Sequence, residues 1–171
     1  MSAVPRPVTE AVEVLCARFE AGDYNPTPLI DIGALIANAD GVVDDEEIDT
    51  LRRILQPMLG QEIEAEIVGF LIDASIRVIQ ADGVDARARL VAEILLDCDA
   101  VEQGVKVALG VAFASNGFSD AERAVIEKLA RAASFPEARL NEMIAKTREL
   151  YSDIPPQSQR RKAVDVASPR E

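Results

Sequence analysis

The sequence predicts an all-α protein, a compact bundle of about seven to eight helices, and three observations support that prediction. Apolar residues recur at helical spacing in one segment after another, and no stretch of useful length alternates as a half-buried strand does. Of the 171 residues, 49% are hydrophobic, which is enough to bury a core. We expect one helical domain over residues 1–151 and a flexible tail over 152–171.

Three helices are predicted in the first part of the chain. The first is closed by the segment AGDYNPTP, because its glycine and prolines cannot continue a helix. The second starts near Pro28 and ends at Gly41, and the third ends at Gly60. Their apolar positions are Val8, Ala11, Val12, Leu15, Cys16 and Phe19, then Leu29, Ile32, Leu35, Ile36 and Ala39, then Ile48, Leu51, Ile54, Leu55, Met58 and Leu59.

Two later segments, 61–81 and 100–115, are apolar on more than one face, which predicts two central helices surrounded by others. The segment DARARLVAEILLDC between them predicts an amphipathic helix. Two more helices follow Ser119, and the last begins at Pro136. The apolar positions of these three amphipathic helices are Leu90, Val91, Ile94 and Leu95, then Val125, Ile126, Leu129 and Ala133, then Leu140, Met143, Ile144 and Leu150.

The charge balance excludes several classes of function. Lys and Arg number 18 and Asp and Glu 30, giving a net charge of −12, so most of the surface should repel nucleic acid. The chain contains no His, which removes the commonest general base and metal ligand and excludes a His-based catalytic triad.

The predicted tail carries a basic patch, opposite in charge to the rest of the chain, because Arg160, Arg161 and Lys162 lie together there. We expect this patch to be solvated. The alternative is that it tethers the protein to an acidic partner or to a membrane surface.

A cytoplasmic location is expected. The N-terminal residues MSAVPRPVTE lack the basic start and apolar stretch of a secretory signal, and the longest apolar run is far shorter than a bilayer requires. The two cysteines, Cys16 and Cys98, fall within apolar helical patterns, as small buried thiols in a reducing compartment do.

An acidic loop is repeated along the chain. ANADGVVDDEEIDTLRRIL at 37–55 and ASNGFSDAERAVIEKLA at 114–130 both run from a helix through an Asp-Gly or Asn-Gly turn to a capped helix. In the first copy Gly41 is expected to be left-handed, and Asp44 with Glu47 forms a capping box. The second copy uses Gly117, Ser119 and Glu122 in the same way. A weaker third copy, ADGVDARARLV at 81, has Asp85 as its cap.

Capping alone does not account for the first loop, which holds more acids than a helix start needs. The surplus consists of Asp40, Asp45, Glu46 and Asp49. A calcium loop of the EF-hand type is disfavoured, because Ile36 occupies the leading Asp position and the other copies close with Arg.

The two loops resemble the signature of the tellurite-resistance TerB family and its TerB-like relatives, among them the N-terminal domain of DjlA-type co-chaperones. The residues that carry the resemblance are LIANADGVVDDEEIDTLRRIL and, about 76 positions on, ALGVAFASNGFSDAERAVIEKLARAASFP, within residues 28–150. The resemblance implies an all-helical, cytoplasmic protein of tellurite or stress response that is bacterial or phage-associated. It further implies action through protein partners and a divalent-metal site at the paired acidic motifs.

The implied metal site consists of Asp40, Asp44, Glu47, Asn116 and Glu122. Asn116 replaces the second motif's Asp, which lowers the charge of a shared site. An all-oxygen donor set without His suits calcium or magnesium rather than zinc or copper. The site requires the two helix-loop-helix units to bring their acids together on one side of the molecule.

Two other functions are left open. A purely structural or homo-oligomeric scaffold would need no metal. An enzyme could use carboxylate pairs such as Asp40 with Glu47 or Asp82 with Asp85. The chain has no Gly-rich phosphate loop, no basic cluster in its folded part and only 4% aromatic residues, so we expect a non-catalytic protein.

Overall fold

The computed structural model describes residues 4–43, 45–59, 64–114 and 117–153, and the predicted tail falls almost entirely outside these ranges. Within them the chain is all-α, as predicted, and forms eight helices. None of these helices is long and apolar enough to cross a membrane. The helices are α1 (Arg6–Ala21), α2 (Thr27–Ala37), α3 (Asp45–Met58), α4 (Ala65–Asp82), α5 (Val84–Asp97), α6 (Val101–Ala114), α7 (Asp120–Ala132) and α8 (Glu137–Ser152).

The helices pack as two equivalent halves, α1–α4 and α5–α8. In each half the second helix packs against the third and fourth, and the third packs against the fourth. The first helix of each half crosses to the other half, so that α1 lies on α6 and α5 lies on α2. The second helices, α2 and α6, pack against each other at the centre. The contacts within the two halves are therefore similar, in keeping with the repeated loop in the sequence.

The central pair of helices is α2 and α6, which partly corrects the sequence prediction. Most of α6 is covered by other helices, and Val107, Leu109 and Ala112 are among its buried residues. The prediction that the segment 61–81 is surrounded as well is wrong for α4. Its outer face is open, with Phe70 68% exposed and Ile67 49% exposed, because α2, α3 and α5 cover only its other faces.

Two glycines of α6 permit the close packing of its neighbours. A Cβ at Gly110 would lie 2.4 Å from Val8 of α1, and one at Gly104 would lie 2.5 Å from Leu95 of α5. Both distances are too short for a side chain, so the first helix of each half approaches α6 at a glycine.

The two thiols are both at least partly buried. Cys98 is buried, as predicted, and Cys16 is half-buried. Burial raises the pKa of both thiols, which keeps them protonated near neutral pH.

Three helices end at a left-handed residue that is not glycine. At each end the left-handed residue is followed by a backbone N–H that donates to a carbonyl five residues earlier, which satisfies the last turn of the helix. The left-handed residues are Asp23 (φ 59°), Asp99 (φ 50°) and Ser134 (φ 53°), after α1, α5 and α7.

The corners that begin α2 and α6 lie against each other. Tyr24 Oη donates to Asp97 Oδ2 across 2.8 Å, and Arg18 Nη1 lies 3.4 Å from Asp99 Oδ2. A Cβ at Gly22 would lie 3.1 Å from Cys98 Sγ. The two central helices therefore start from the same end of the molecule.

Candidate functional site

The α2–α3 corner adopts the turn that its sequence predicts. Gly41 is left-handed at φ 84°, and a Cβ there would have nothing within 4 Å. Glycine is therefore required by the backbone conformation of the turn and not by the proximity of other atoms. Asp40 is exposed, and its Oδ1 accepts from the Val42 N–H at 2.9 Å. This bond closes a local turn of the kind that Asp favours. Asn38, two residues before Asp40, is buried, and its Oδ1 has no hydrogen-bond partner among the described residues.

The α6–α7 corner contains the predicted capping box. Glu122 Oε2 accepts from the Ser119 N–H at 2.8 Å, and Ser119 Oγ accepts from the Glu122 N–H at 3.2 Å. Gly117 precedes the box at φ 117°. Both halves of the box are present, so the structure gives Glu122 a definite role in starting α7.

The third corner corrects the prediction for Asp85. The residue before α5 is Gly83, at φ 91° and ψ 152°, and it has no side chain with which to cap the helix. Asp85 lies inside the first turn, where its Oδ1 is 2.7 Å from Lys128 Nζ on α7. The hydrogen bond from Lys128 lowers the pKa of the Asp85 carboxyl. Asp85 therefore joins α5 to α7 and does not cap its own helix.

The predicted metal ligands are only partly within the described residues. Asp44 and Asn116 lie outside them, and so does the side chain of Glu47, whose backbone belongs to α3. The predicted capping box of Asp44 with Glu47 lies outside them for the same reason. Among the described side chains, no group of three Cys, Asp or Glu is placed to hold a metal ion. The described donors alone do not complete a site, and the convergence of the two acidic corners stays a prediction.

A buried ionic cluster joins three helices, and it was not among the predicted sites. Asp31 of α2 is 5% exposed, and its Oδ1 accepts from Arg87 Nη2 of α5 at 2.8 Å and from Ser75 Oγ of α4. The signal in the sequence is a single acid within the apolar run PLIDIGALIA. A charge in such a run is buried with a partner far more often than alone.

The outer face of α4 differs from that of α8, which occupies the equivalent place in the second half. On α8 the exposed Glu142 accepts from the exposed Lys146 at 2.8 Å and from Arg139 at 2.8 Å, and the half-buried Arg139 also pairs with Glu102 of α6. On α4 the outer face holds Ile67 and Phe70, three residues apart and therefore adjacent on the helix surface. The exposed side of α4 therefore includes two adjacent apolar side chains, whereas Glu142 and Lys146 on the exposed side of α8 are charged.

The carboxyls whose pKa is displaced are paired with basic side chains. Hydrogen bonds from Arg139 and Lys106 lower the pKa of Glu102, and those from Lys146 and Arg139 lower the pKa of Glu142 to about 2. These groups lie on helix surfaces in ion pairs, an arrangement typical of structural charge networks.

No family model matches the chain, and neither a curated protein nor a solved structure matches it.

Proposed function

We propose that this protein is a non-catalytic, TerB-like helical module that acts by binding a protein partner through the outer face of α4. The single observation that supports the proposal most directly is the exposure of Phe70 at 68% beside Ile67 at 49%. Large apolar side chains that are adjacent and exposed on a helix mark interaction surfaces more often than single exposed ones do.

The comparison between the halves supports this choice of surface. The fold tolerates a charged outer face, as α8 demonstrates with its exposed Glu142 and Lys146. Ile67 and Phe70 are therefore not required by the packing of the bundle. Their presence on the surface of α4 is explained by a partner that covers them.

The non-catalytic part of the proposal is supported by the charged groups. The displaced carboxyls Asp85, Glu102 and Glu142 are each held by a Lys or Arg, which leaves them suited to ion pairing and unsuited to exchanging protons near neutral pH. The resemblance to the TerB family adds the biological setting, tellurite resistance or stress response, in which such a module works through its partners.

The proposal is tested by photo-crosslinking in cells that express the full chain. A benzophenone amino acid replaces Phe70 on α4 or, as the matched control, Ala145, which is exposed on α8. We expect a discrete protein adduct from position 70, none from position 145, and loss of the adduct when Ile67→Ser is added. Identical adducts from both positions, or none from either, would contradict the proposal.

A second candidate function, binding of calcium or magnesium at the acidic corners, is favoured by one observation. Asn38 Oδ1 is a buried acceptor without a hydrogen-bond partner among the described residues, and it lies in the same corner as Asp40. Such an oxygen is suited to a hard cation or an ordered water. The remaining donors would come from Asp44, Glu47, Asn116 and Glu122.

A thermal unfolding series tests this second candidate. If the folded chain binds the cation, millimolar calcium or magnesium raises the unfolding midpoint above its value in EDTA, because a ligand of the native state stabilises it. Asp40→Asn is expected to remove that increase. Equal midpoints in EDTA and in both cations would exclude the site.

A further inference from the structure

We propose that the outer face of α4 binds a basic amphipathic helix of the partner protein. This inference rests on the proposed function and specifies the chemistry of the partner. The surface consists of Ile67, Phe70 and Ala74, which we call the α4 strip. Ile67 and Phe70 are exposed and Ala74 is half-buried.

The spacing of the α4 strip suits a helical ligand. Residues 67, 70 and 74 fall on one side of the helix, over a rise of about 10 Å. The small Ala74 side chain allows a second helix to approach closely there, while Phe70 and Ile67 offer the larger apolar contacts. An amphipathic helix presents a matching apolar row at positions i, i+3 and i+7.

The charges around the α4 strip indicate that the polar side of the ligand is basic. Glu64 and Glu66 are exposed at the start of α4, and Asp73 is half-buried beside the strip. Arg77 is the basic residue of α4 on this side, and its Nε donates to the Asp73 carbonyl. These three acids and one base of α4 and its N-cap sum to −3 + 1 = −2, and Arg52 of α3, whose guanidinium lies against Gly69, leaves the surroundings of the strip at −1. The whole chain, at −12, adds long-range attraction for a cationic segment.

Two other occupants fit these observations less well. A second copy of the chain would bring together two molecules that each carry a net charge of −12. The chain's own tail is basic at Arg160, Arg161 and Lys162, but no Leu, Ile, Phe or Met follows Ile154. It therefore lacks the large apolar residues that would cover Phe70.

The test measures binding of a fluorescent 18-residue peptide, in which Leu occupies one helical face and Lys the other, to the full chain. We expect Ile67→Ser with Phe70→Ser to weaken binding by about tenfold or more, since apolar burial is lost. The matched control, Leu90→Ser with Leu96→Ser, removes two exposed leucines from α5 and is expected to change binding by less than about twofold.

A second pair of variants tests the charge. Glu64→Gln with Glu66→Gln is expected to weaken binding of the Leu/Lys peptide by about threefold or more, and Glu137→Gln with Glu149→Gln, which removes two exposed acids from α8, is expected to have a smaller effect. A peptide with Glu in place of Lys should bind more weakly than the Leu/Lys peptide. Equal effects of each variant and its control would overturn the inference, because binding would then follow net charge alone.

Two further measurements identify a different occupant. If sedimentation shows a dimer of the free chain that Ile67→Ser with Phe70→Ser dissociates, the α4 strip is covered by a second copy. If Arg160→Ser, Arg161→Ser and Lys162→Ser together tighten binding of an uncharged peptide with Gln in place of Lys, which does not respond to the change in net charge, the strip is covered by the tail. Either result overturns the inference. A discrete crosslink from position 70 without peptide binding would overturn the inference alone and leave the proposed function standing.

Discussion

Arg87 of α5 donates from Nη2 to Oδ1 of Asp31 in α2 across 2.8 Å, and this bond joins the two halves of the molecule. The same Asp31 oxygen accepts from Ser75 of α4. One buried carboxylate therefore holds two helices against α2. A buried charge is tolerated in this position because its partners compensate for the loss of hydration.

Asp31→Ala is expected to lower the free energy of unfolding by about 3 kcal/mol, because it leaves the largely buried Arg87 guanidinium without its anion. The measurement is urea denaturation at neutral pH. Asp31→Leu with Arg87→Met replaces the pair by apolar groups of similar size, and it should recover most of the loss.

The control for this prediction is the exposed pair of Arg18 and Asp99, whose carboxylate is 92% exposed. Arg18→Ala should cost less than about 1 kcal/mol, because solvent screens an exposed pair. A loss from Asp31→Ala no larger than that of Arg18→Ala would show that the buried cluster contributes little to stability.

Backbone conformation gives a second prediction, in which the change in stability has opposite signs at Ser134 and Gly83. Ser134→Gly should stabilise the protein by about 1 kcal/mol, because it relieves a left-handed backbone at φ 53°. Gly83→Ala should destabilise it by about 1–3 kcal/mol, because φ 91° with ψ 152° is a conformation that only glycine adopts readily. Nothing lies within 4 Å of a Cβ at Gly83, so the cost is conformational. Thermal unfolding of both variants measures the difference, and a stabilising Gly83→Ala would contradict it.

Much of the fold could be predicted because the apolar spacing and the helix-ending residues act locally. The Ser119–Glu122 box and the left-handed Gly41 were predicted from a few neighbouring residues and are confirmed. Asp85 was predicted wrongly because its role depends on Lys128, which is distant in sequence.

The outer face of α4 could not be predicted for a related reason. The segment is apolar on more than one face, and such a pattern normally indicates a helix surrounded by others. Only the packing of α2, α3 and α5 reveals that Ile67 and Phe70 are left uncovered. The predicted metal ligands depend in the same way on two corners that are far apart in sequence.

The capping box gives a third prediction. Ser119→Ala should lower the free energy of unfolding by about 1 kcal/mol, because it removes the acceptor for the Glu122 N–H. Glu122→Gln should cost about 0.5 kcal/mol, since Gln can still accept from Ser119 but loses the attraction of a negative charge to the helix N-terminus. Denaturation in EDTA measures both losses without any contribution from a cation. A Glu122→Gln variant that is more stable than the wild type would indicate that repulsion among the acids outweighs the cap.

The α8 network gives a fourth prediction, which concerns pH. Hydrogen bonds from Lys146 and Arg139 lower the pKa of Glu142 from 4.5 to about 2. A depressed folded-state pKa means that the ionised group stabilises the folded protein above pH 4.5, and that this contribution is lost as the pH falls from there towards 2. The Glu142 carboxyl resonance in an NMR titration should therefore have its midpoint near pH 2, and Arg139→Gln should raise that midpoint.

The same linkage predicts a difference in acid unfolding. Between pH 4.5 and 2 the wild type should lose stability more steeply than Glu142→Gln, because the variant has no proton to take up at this position. Salt should reduce the difference, since Glu142 is exposed and the pair is screened. Parallel acid unfolding curves for the two proteins would mean that Glu142 titrates alike in the folded and unfolded chain, so that its ion pairs with Arg139 and Lys146 within α8 make no contribution to the stability of the folded protein.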